Sequence, residues 1–392
     1  MKSRHRQTRR VYDKALTYEK LYAAWNTVLH TCKNKQGLYE FAMFQQAKLS
    51  ELLDELKERK YYPNKYRCFM IFEPKPRLVM SQSIRDKVVN HFVAREYLIP
   101  LLERTLIDAN VATRMDMGSS YAMKMLKRYF AKLYAESPDK DIFAMKIDIS
   151  KYFYRIDHDI LFEKLSQKVK DKDVLEILHR IIDETNKPYI NRIIDVFNEK
   201  FGTEIPHYEK NKGLSIGAMT SQFLAIFYLG DLDRHLKEDL GCRYFLRYMD
   251  DLIILDHDKD KLYRFKDEIK KCLADVKLEV NPKSAMYNCS SYAGVPFLGY
   301  RYFIDTKGTL RIVPLSGTVR RIRKRLKILK AHDPEKYLRS QAAYRGYFMH
   351  AVPEREMNYV IEKNVLSVIP STLFCAHYFC SLVTLLLVKL LA

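Results

Sequence analysis

The sequence predicts an α+β fold built on a mainly antiparallel sheet. Short apolar strand runs are interspersed with amphipathic helical segments, and they lack the regular strand–helix–strand alternation that signals a parallel sheet. Size agrees, because 392 residues with 47% hydrophobic content supply core for two to three domains.

Residues 15–60 carry helical periodicity with mixed charge and stop at Tyr61-Tyr62-Pro63, where proline removes a backbone donor. Cys68 to Phe72 and Leu78 to Met80 read as strands joined through Glu73-Pro74-Lys75-Pro76-Arg77, a hairpin with a basic tip. Residues 84–135 read as mostly helical, and Ile142 to Ile147 as a short buried strand that ends on Asp148. The glycine-bounded loop Gly213-Leu214-Ser215-Ile216-Gly217 precedes an apolar helix from about Thr220 to Leu236. Two apolar strands then flank Asp250-Asp251. Ile269 to Val280 is amphipathic and closes at Asn281-Pro282-Lys283, and helices dominate again from Val319.

Charge and cysteine usage narrow the classes of function. Lys plus Arg number 68 against 48 Asp plus Glu, and the net charge of +20 is spread along the chain. That points to a polyanionic partner, nucleic acid before membrane. The seven cysteines are odd in number and form no CxxC pair, so neither a zinc site nor a disulfide framework is expected, and a reducing cytoplasm fits. Met1 to Arg10 holds five Lys/Arg but runs into no apolar core, so it reads as a frayed end or a basic arm for phosphates, not as a secretory signal. Asn364 to Val388 carries no Asp, Glu, Lys or Arg. Its length would cross a bilayer, but Pro370, His377 and its Ser/Thr residues favour a buried helical hairpin or a partner-binding segment over a membrane anchor.

Asp250 and Asp251 need an account of their own. A solvated turn is one, since Asp is a common turn residue. A divalent cation is the other, because oxygen ligands suit Mg²⁺ and the ion cancels the repulsion between adjacent carboxylates. Asp148 also ends an apolar strand, and a sheet can bring strand ends that are remote in sequence onto one edge. Three such carboxylates can hold two Mg²⁺ about 4 Å apart, which clamp the attacking and leaving oxygens of an in-line phosphoryl displacement.

The motifs then become specific. Lys146-Ile147-Asp148-Ile149-Ser150-Lys151-Tyr152-Phe153 resembles motif A of reverse transcriptases, and Tyr248-Met249-Asp250-Asp251 resembles their motif C. Asn281-Pro282-Lys283 is similar to motif D and Phe297-Leu298-Gly299-Tyr300 to the primer-grip motif E, in family order within residues 66–350. The resemblance implies a right-hand polymerase: an N-terminal helical region (1–65), fingers (66–140), a palm with inserted finger elements (141–314), a helical thumb (315–363) and an apolar C-terminal tail (364–392). It implies an RNA-directed DNA polymerase with RNA template, RNA/DNA primer duplex and dNTPs as partners. Two Mg²⁺, with Mn²⁺ as the substitute ion, would be held by Asp148, Asp250, Asp251 and the neighbouring Ile149.

Other roles follow from the same resemblance. Lys75 and Arg77 match fingertip residues that hold the triphosphate, alongside Ile149, Ile216, Gly217 and Gln222. Phe153 matches the steric gate against a ribose 2′-hydroxyl, its plainer reading being a core aromatic. Lys283 would approach the leaving pyrophosphate and donate a proton. Tyr248, Met249, Phe297, Leu298 and Gly299 would contact the primer. Val319 to Lys330 has seven basic residues in twelve, with Val319, Ile322, Leu326 and Leu329 at helical spacing. As the thumb helix it would offer Arg320, Arg321, Arg323, Lys324 and Lys327 to duplex phosphates.

The loop Ile216-Gly217-Ala218-Met219-Thr220-Ser221-Gln222 resembles the IGxxxSQ signature of bacterial and phage diversity-generating retroelements, and defence-associated reverse transcriptases share parts of it. Ile216 stands where a polar residue would touch the dNTP, so error-prone synthesis is implied unless Ile216 only packs beneath the nucleotide. A small accessory protein or a structured noncoding RNA would be the further partner. Val111 to Gly118 departs from the glycine- and lysine-rich segment of relatives, which leaves Arg114 a weak candidate there. No RNase H, HNH-type or zinc-finger pattern is expected after residue 350. A non-catalytic, maturase-like RNA-binding protein is the alternative from another class, and the intact carboxylates and gate residue argue against it.

Overall fold

The computed structural model describes residues 11–32, 34–72, 75–353, 356–357 and 360–361. The Met1 to Arg10 segment and the apolar tail from Asn364 lie outside the described residues. The expected N-terminal helical region begins at Val11–Ala15 and continues through Tyr18–Thr31, Lys35–Ala42 and Gln45–Lys57. Thr17, Asn34 and Asp258 cap helices by accepting backbone N–H groups, the usual use of such side chains at a helix start. Leu21, Trp25, Val28, Leu49, Leu52 and Leu56 supply the apolar stripe and are buried.

Chain contacts divide the molecule into two units, Met1–Leu298 with Tyr302–Arg311, and Gly299–Arg301 with the residues from Ile312 on. In the first, β1 (Arg67–Ile71) and β2 (Arg77–Ser81) form the expected antiparallel hairpin, with Ile71 opposite Arg77. Leu78 and Met80 share a core with Ile190, Ile194 and Tyr208. Strands β3 (Phe143–Asp148), β4 (Phe245–Tyr248), β5 (Asp251–Asp256) and β6 (Ala285–Asn288) make a four-stranded antiparallel sheet in the order β4-β5-β3-β6. Strands β3 and β5 bury all but their terminal or near-terminal polar side chains, which is why they read as continuous apolar runs. Met145, Ile147, Leu252 and Ile254 join one core with Phe223, Phe265 and Ile269 of the helices Met219–Tyr228 and Lys259–Asp275.

Several expectations need correction. The amphipathic segment placed at 269–280 is the end of helix Lys259–Asp275, and the chain turns away at Lys277 with φ of 56°. Its first half is dense in Lys and Asp, and that polarity hides the stripe formed by Leu262, Phe265, Ile269 and Leu273. The helix expected from Thr220 to Leu236 stops at Tyr228, and Gly230–Arg234 and a π-turn at His235–Asp239 follow. Residues 106–118 are not helical: Thr113, Asp116 and Gly118 have positive φ. Strands β7 (Val295–Phe297), β8 (Tyr300–Ile304) and β9 (Leu310–Pro314), a three-stranded sheet in that order, were not anticipated. With three to five residues each, they are too short for a period-2 pattern to register.

In the second unit, helices Ser316–His332 and Pro334–Phe348 share a core of Ile322, Leu326, Phe348, Val352, Met357 and Ile361. Among the described residues no helix is long and apolar enough to cross a membrane.

Candidate active site

The site begins with sheet register. In the β3–β5 ladder Asp148 stands opposite Asp251, so two strand-end carboxylates face each other across one ladder step. Asp250 sits in the two-residue tip between β4 and β5, after Met249 in the left-handed region at φ 57°. The tip is tied to β3: Ile149 N donates to the Asp250 carbonyl at 3.2 Å. Asn281 N donates to the Asp148 carbonyl at 2.8 Å, and Ser150 N to Glu279 O at 2.9 Å, so the turn after Val280 clamps the other side.

Burial and neighbouring negative charge act on Asp250 and Asp148 in the same direction. Burial pushes Asp250 up to about 6; its own backbone amide opposes this, Asp251 and Asp148 add to it, and Arg77 pulls it down. Burial and Asp251 also raise Asp148, against the pull of Lys146, Lys75 and Asn281. Lys146 Nζ lies 3.3 Å from Asp251 Oδ1. Among the described residues no three His, Cys, Asp or Glu side chains are gathered so that they could hold a metal ion. Carboxylate oxygens would nevertheless suit a hard divalent cation, which would offset both the burial and the neighbouring charges that raise Asp250.

The residues expected on the nucleotide side come from three segments. Strand β2 brings Arg77, exposed, within electrostatic reach of Asp250, and the exposed Lys75 acts likewise on Asp148. The loop before helix Met219–Tyr228 is pinned between β2 and the turn after β3. Met80 N donates to the Ile216 carbonyl at 3.2 Å, and Leu214 N donates to the Phe153 carbonyl at 2.7 Å. Gly217 has φ of 117°, where a side chain is strained, and its missing Cβ would face Val79 Cγ1 at 3.5 Å. Phe153 and Gln222 are half-buried, with the Phe153 ring edge-on to Tyr152 at 5.9 Å.

The remaining candidates divide. Ile149 has a buried side chain, so only its main chain is available to a ligand. Tyr248 and Met249 pack partly against the core. Leu298 is half-buried at φ 47°, but Phe297 is fully buried and serves the core, so its ring is not a primer contact. Lys283 is exposed, with its N–H on Asn281 Oδ1 at 3.0 Å; the cations bearing most on Asp148 are Lys146 and Lys75. Arg114 is held by the Ile107 and Asn110 carbonyls at 2.8 and 3.1 Å and has a structural role.

Sequence reading missed Lys146 and the buried Arg247–Asp233 pair. Both left a signal: a basic residue inside an apolar strand requires a carboxylate partner.

Arg320, Arg321, Lys324 and Lys327 are exposed on helix Ser316–His332, opposite the buried Ile322 and Leu326. Arg323 departs from the expected row, being half-buried with Nε donating to the Val360 carbonyl at 2.9 Å. Gly299 has φ of 89°, where a side chain is strained, and a Cβ there would also press on the Tyr347 hydroxyl.

The family described as reverse transcriptase (RNA-dependent DNA polymerase) matches residues 73–302. Among solved structures, apo telomerase from Candida tropicalis, truncated of its C-terminal domain, is 14% identical with a TM-score of 0.45, covering 67% of this chain and 58% of that one. Telomerase from Candida albicans in complex with a fragment of telomeric RNA is 11% identical with a TM-score of 0.47, covering 83% of this chain and 59% of that one. The chain thus spans less than two thirds of either telomerase chain. No curated protein matches it.

Proposed function

Because the chain belongs to the reverse transcriptase family, whose match runs over residues 73–302, we propose that it is an RNA-directed DNA polymerase extending a primer 3′-hydroxyl with dNTPs on an RNA template. The observation that carries this reading is the pairing of Asp148 with Asp251 across the β3–β5 ladder, beside the tip residue Asp250, where burial first and the neighbouring carboxylates second raise Asp148 and Asp250. Asp148, Asp250 and Asp251 would hold divalent cations, Mg²⁺ or Mn²⁺, which neutralise charge on the reacting phosphate and activate the attacking hydroxyl.

The protein's own groups supply the rest. Arg77 offers a planar fork and Lys75 a point charge to the triphosphate, which brings its charge towards the carboxylate edge. Phe153 packs where bulk excludes a 2′-hydroxyl. Lys146 offsets the charge of Asp251 from 3.3 Å. Lys283 stands as the proton donor to pyrophosphate. The exposed basic row on helix Ser316–His332 binds duplex phosphates.

The finer reading is error-prone copying in a diversity-generating retroelement of bacterial or phage origin, supported by the apolar Ile216 in the nucleotide loop. Mg²⁺-dependent dNTP incorporation on a primed RNA tests the activity. Asp250→Asn and Asp251→Asn should each abolish it and leave RNA binding in place, whereas incorporation by both variants would defeat the polymerase reading. An inert parent chain that still binds RNA would favour a maturase-like protein. Sequencing the product tests the subclass: frequent misincorporation supports the retroelement, and faithful cDNA from a structured noncoding RNA supports a defence enzyme.

A further inference from the structure

Arg247 is fully buried on β4, and a guanidinium in that position must satisfy its donors and meet a carboxylate. Asp233, equally buried, accepts from Nε at 2.7 Å and from Nη2 at 2.6 Å. Nη2 also donates to the Ile226 carbonyl at 2.8 Å, in the last turn of helix Met219–Tyr228, where carbonyls lose their in-helix partners. Asn110 Nδ2 donates to the same carbonyl at 3.1 Å and to Asp233 Oδ2 at 3.2 Å. The remaining arm of the fork, Nη1, donates to the Met249 carbonyl at 3.0 Å.

That last bond falls at a strained point. Met249 is a non-glycine residue at φ 57°, a conformation that persists only where its surroundings enforce it, and it immediately precedes Asp250. Strand pairing fixes the tip up to Tyr248 and again from Asp251, but no ladder bond reaches Met249. We propose that Arg247 is a positioning residue for the polymerase reaction: it bridges the end of the helix that carries Gln222 to the Met249 carbonyl, and so sets Asp250 relative to the nucleotide loop. The pair with Asp233 fixes the fork, and the fork fixes the tip. This rests on reading Asp250 and Asp251 as the catalytic carboxylates.

Two variants of the full chain separate positioning from support. Arg247→Lys keeps a charge for Asp233, but one ammonium cannot reach Asp233, Ile226 and Met249 together. Arg247→Met combined with Asp233→Leu removes both charges, a replacement that buried sites often tolerate without loss of stability. Each is expected to melt cooperatively, bind primer–template as the parent does and keep its KM for dNTP, while kcat falls about 100-fold. A folded double variant with parental kcat would overturn the proposal, as would a loss of kcat that only mirrors the unfolded fraction. If the double variant does not fold, Arg247→Lys decides alone; if neither folds, the pair is structural and the proposal fails. Asp250→Asn and Asp251→Asn are measured alongside: incorporation by both means the polymerase reading has failed, whatever Arg247 does.

Discussion

Asp250 links the chemistry of a single residue to measurable stability. Its ordinary value of 3.8 rises to about 6 in the folded chain, so over that interval the folded state holds a proton that the unfolded state has released. Its contribution to stability is therefore full below the lower value and is lost as pH rises through about 6, and Asp148 is shifted in the same direction. Without divalent ions, the urea midpoint should fall between about pH 4 and about pH 7, and fall less in Asp250→Asn. Added Mg²⁺ should shrink that fall, because binding displaces the proton; a midpoint that ignores both the variant and the ion would contradict the site. Phe153 yields a second test at this scale. Its half-buried ring leans on Tyr152, and its carbonyl is already engaged by Leu214 N, so Phe153→Ala removes bulk and leaves the backbone anchored. The preference for dNTP over rNTP, as a ratio of kcat/KM, should drop on the order of 10²-fold. An unchanged ratio returns Phe153 to the core.

At the scale of elements, what could be read from the sequence depended on where pattern and chemistry coincide. Strands β3 and β5 were legible because both are short apolar runs, one ending and the other beginning on a carboxylate, and their register then brings Asp148 opposite Asp251. The hairpin β1–β2 was legible from its prolines and basic tip. Helix Lys259–Asp275 was only half legible, since its lysines and aspartates obscure an apolar stripe of four residues. Asn110 could not be connected with Arg247 at all: a non-local bridge between a loop and a strand has no local period. The basic helix Ser316–His332 was legible from composition, yet only the structure separates the exposed Arg320, Arg321, Lys324 and Lys327 from Arg323, which is tied to Val360. The difference is measurable. Each of those four, changed to Gln, should lower the slope of log affinity against log salt for a primer–template duplex by about 1. Arg323→Gln should leave the slope alone and act on stability instead; equal effects at all five positions would remove the distinction. At Gly217, Ala introduces strain at φ 117° with room for the methyl group, so a loss of about 1–3 kcal/mol is expected in urea titrations of Gly217→Ala.

On the scale of the whole molecule, the two units differ in what they bury. The first unites its sheet and surrounding helices in a core that runs from Tyr12 to Leu278 and includes Trp25, Phe92, Phe223 and Phe245. The second unit's described core consists of Ile322, Leu326, Phe348, Val352, Met357 and Ile361, with one aromatic among them. Because buried fraction rises with the size of the folded body, the smaller core should open at lower cost. Net charge acts in the same sense: helix Ser316–His332 packs many like charges together with no acidic residue, and their repulsion weakens an isolated helix. Native-state hydrogen exchange at rising urea should therefore show the amides of Ser316–His332 exchanging through a sub-global opening, before those of β3 and β5, which should report the global transition. Adding a primer–template duplex should protect the helix selectively, since phosphates relieve its repulsion, and high salt should remove that protection by screening. Simultaneous exchange of helix and sheet, with and without nucleic acid, would mean that the chain unfolds as one cooperative body and that core size does not set the order in which its parts open.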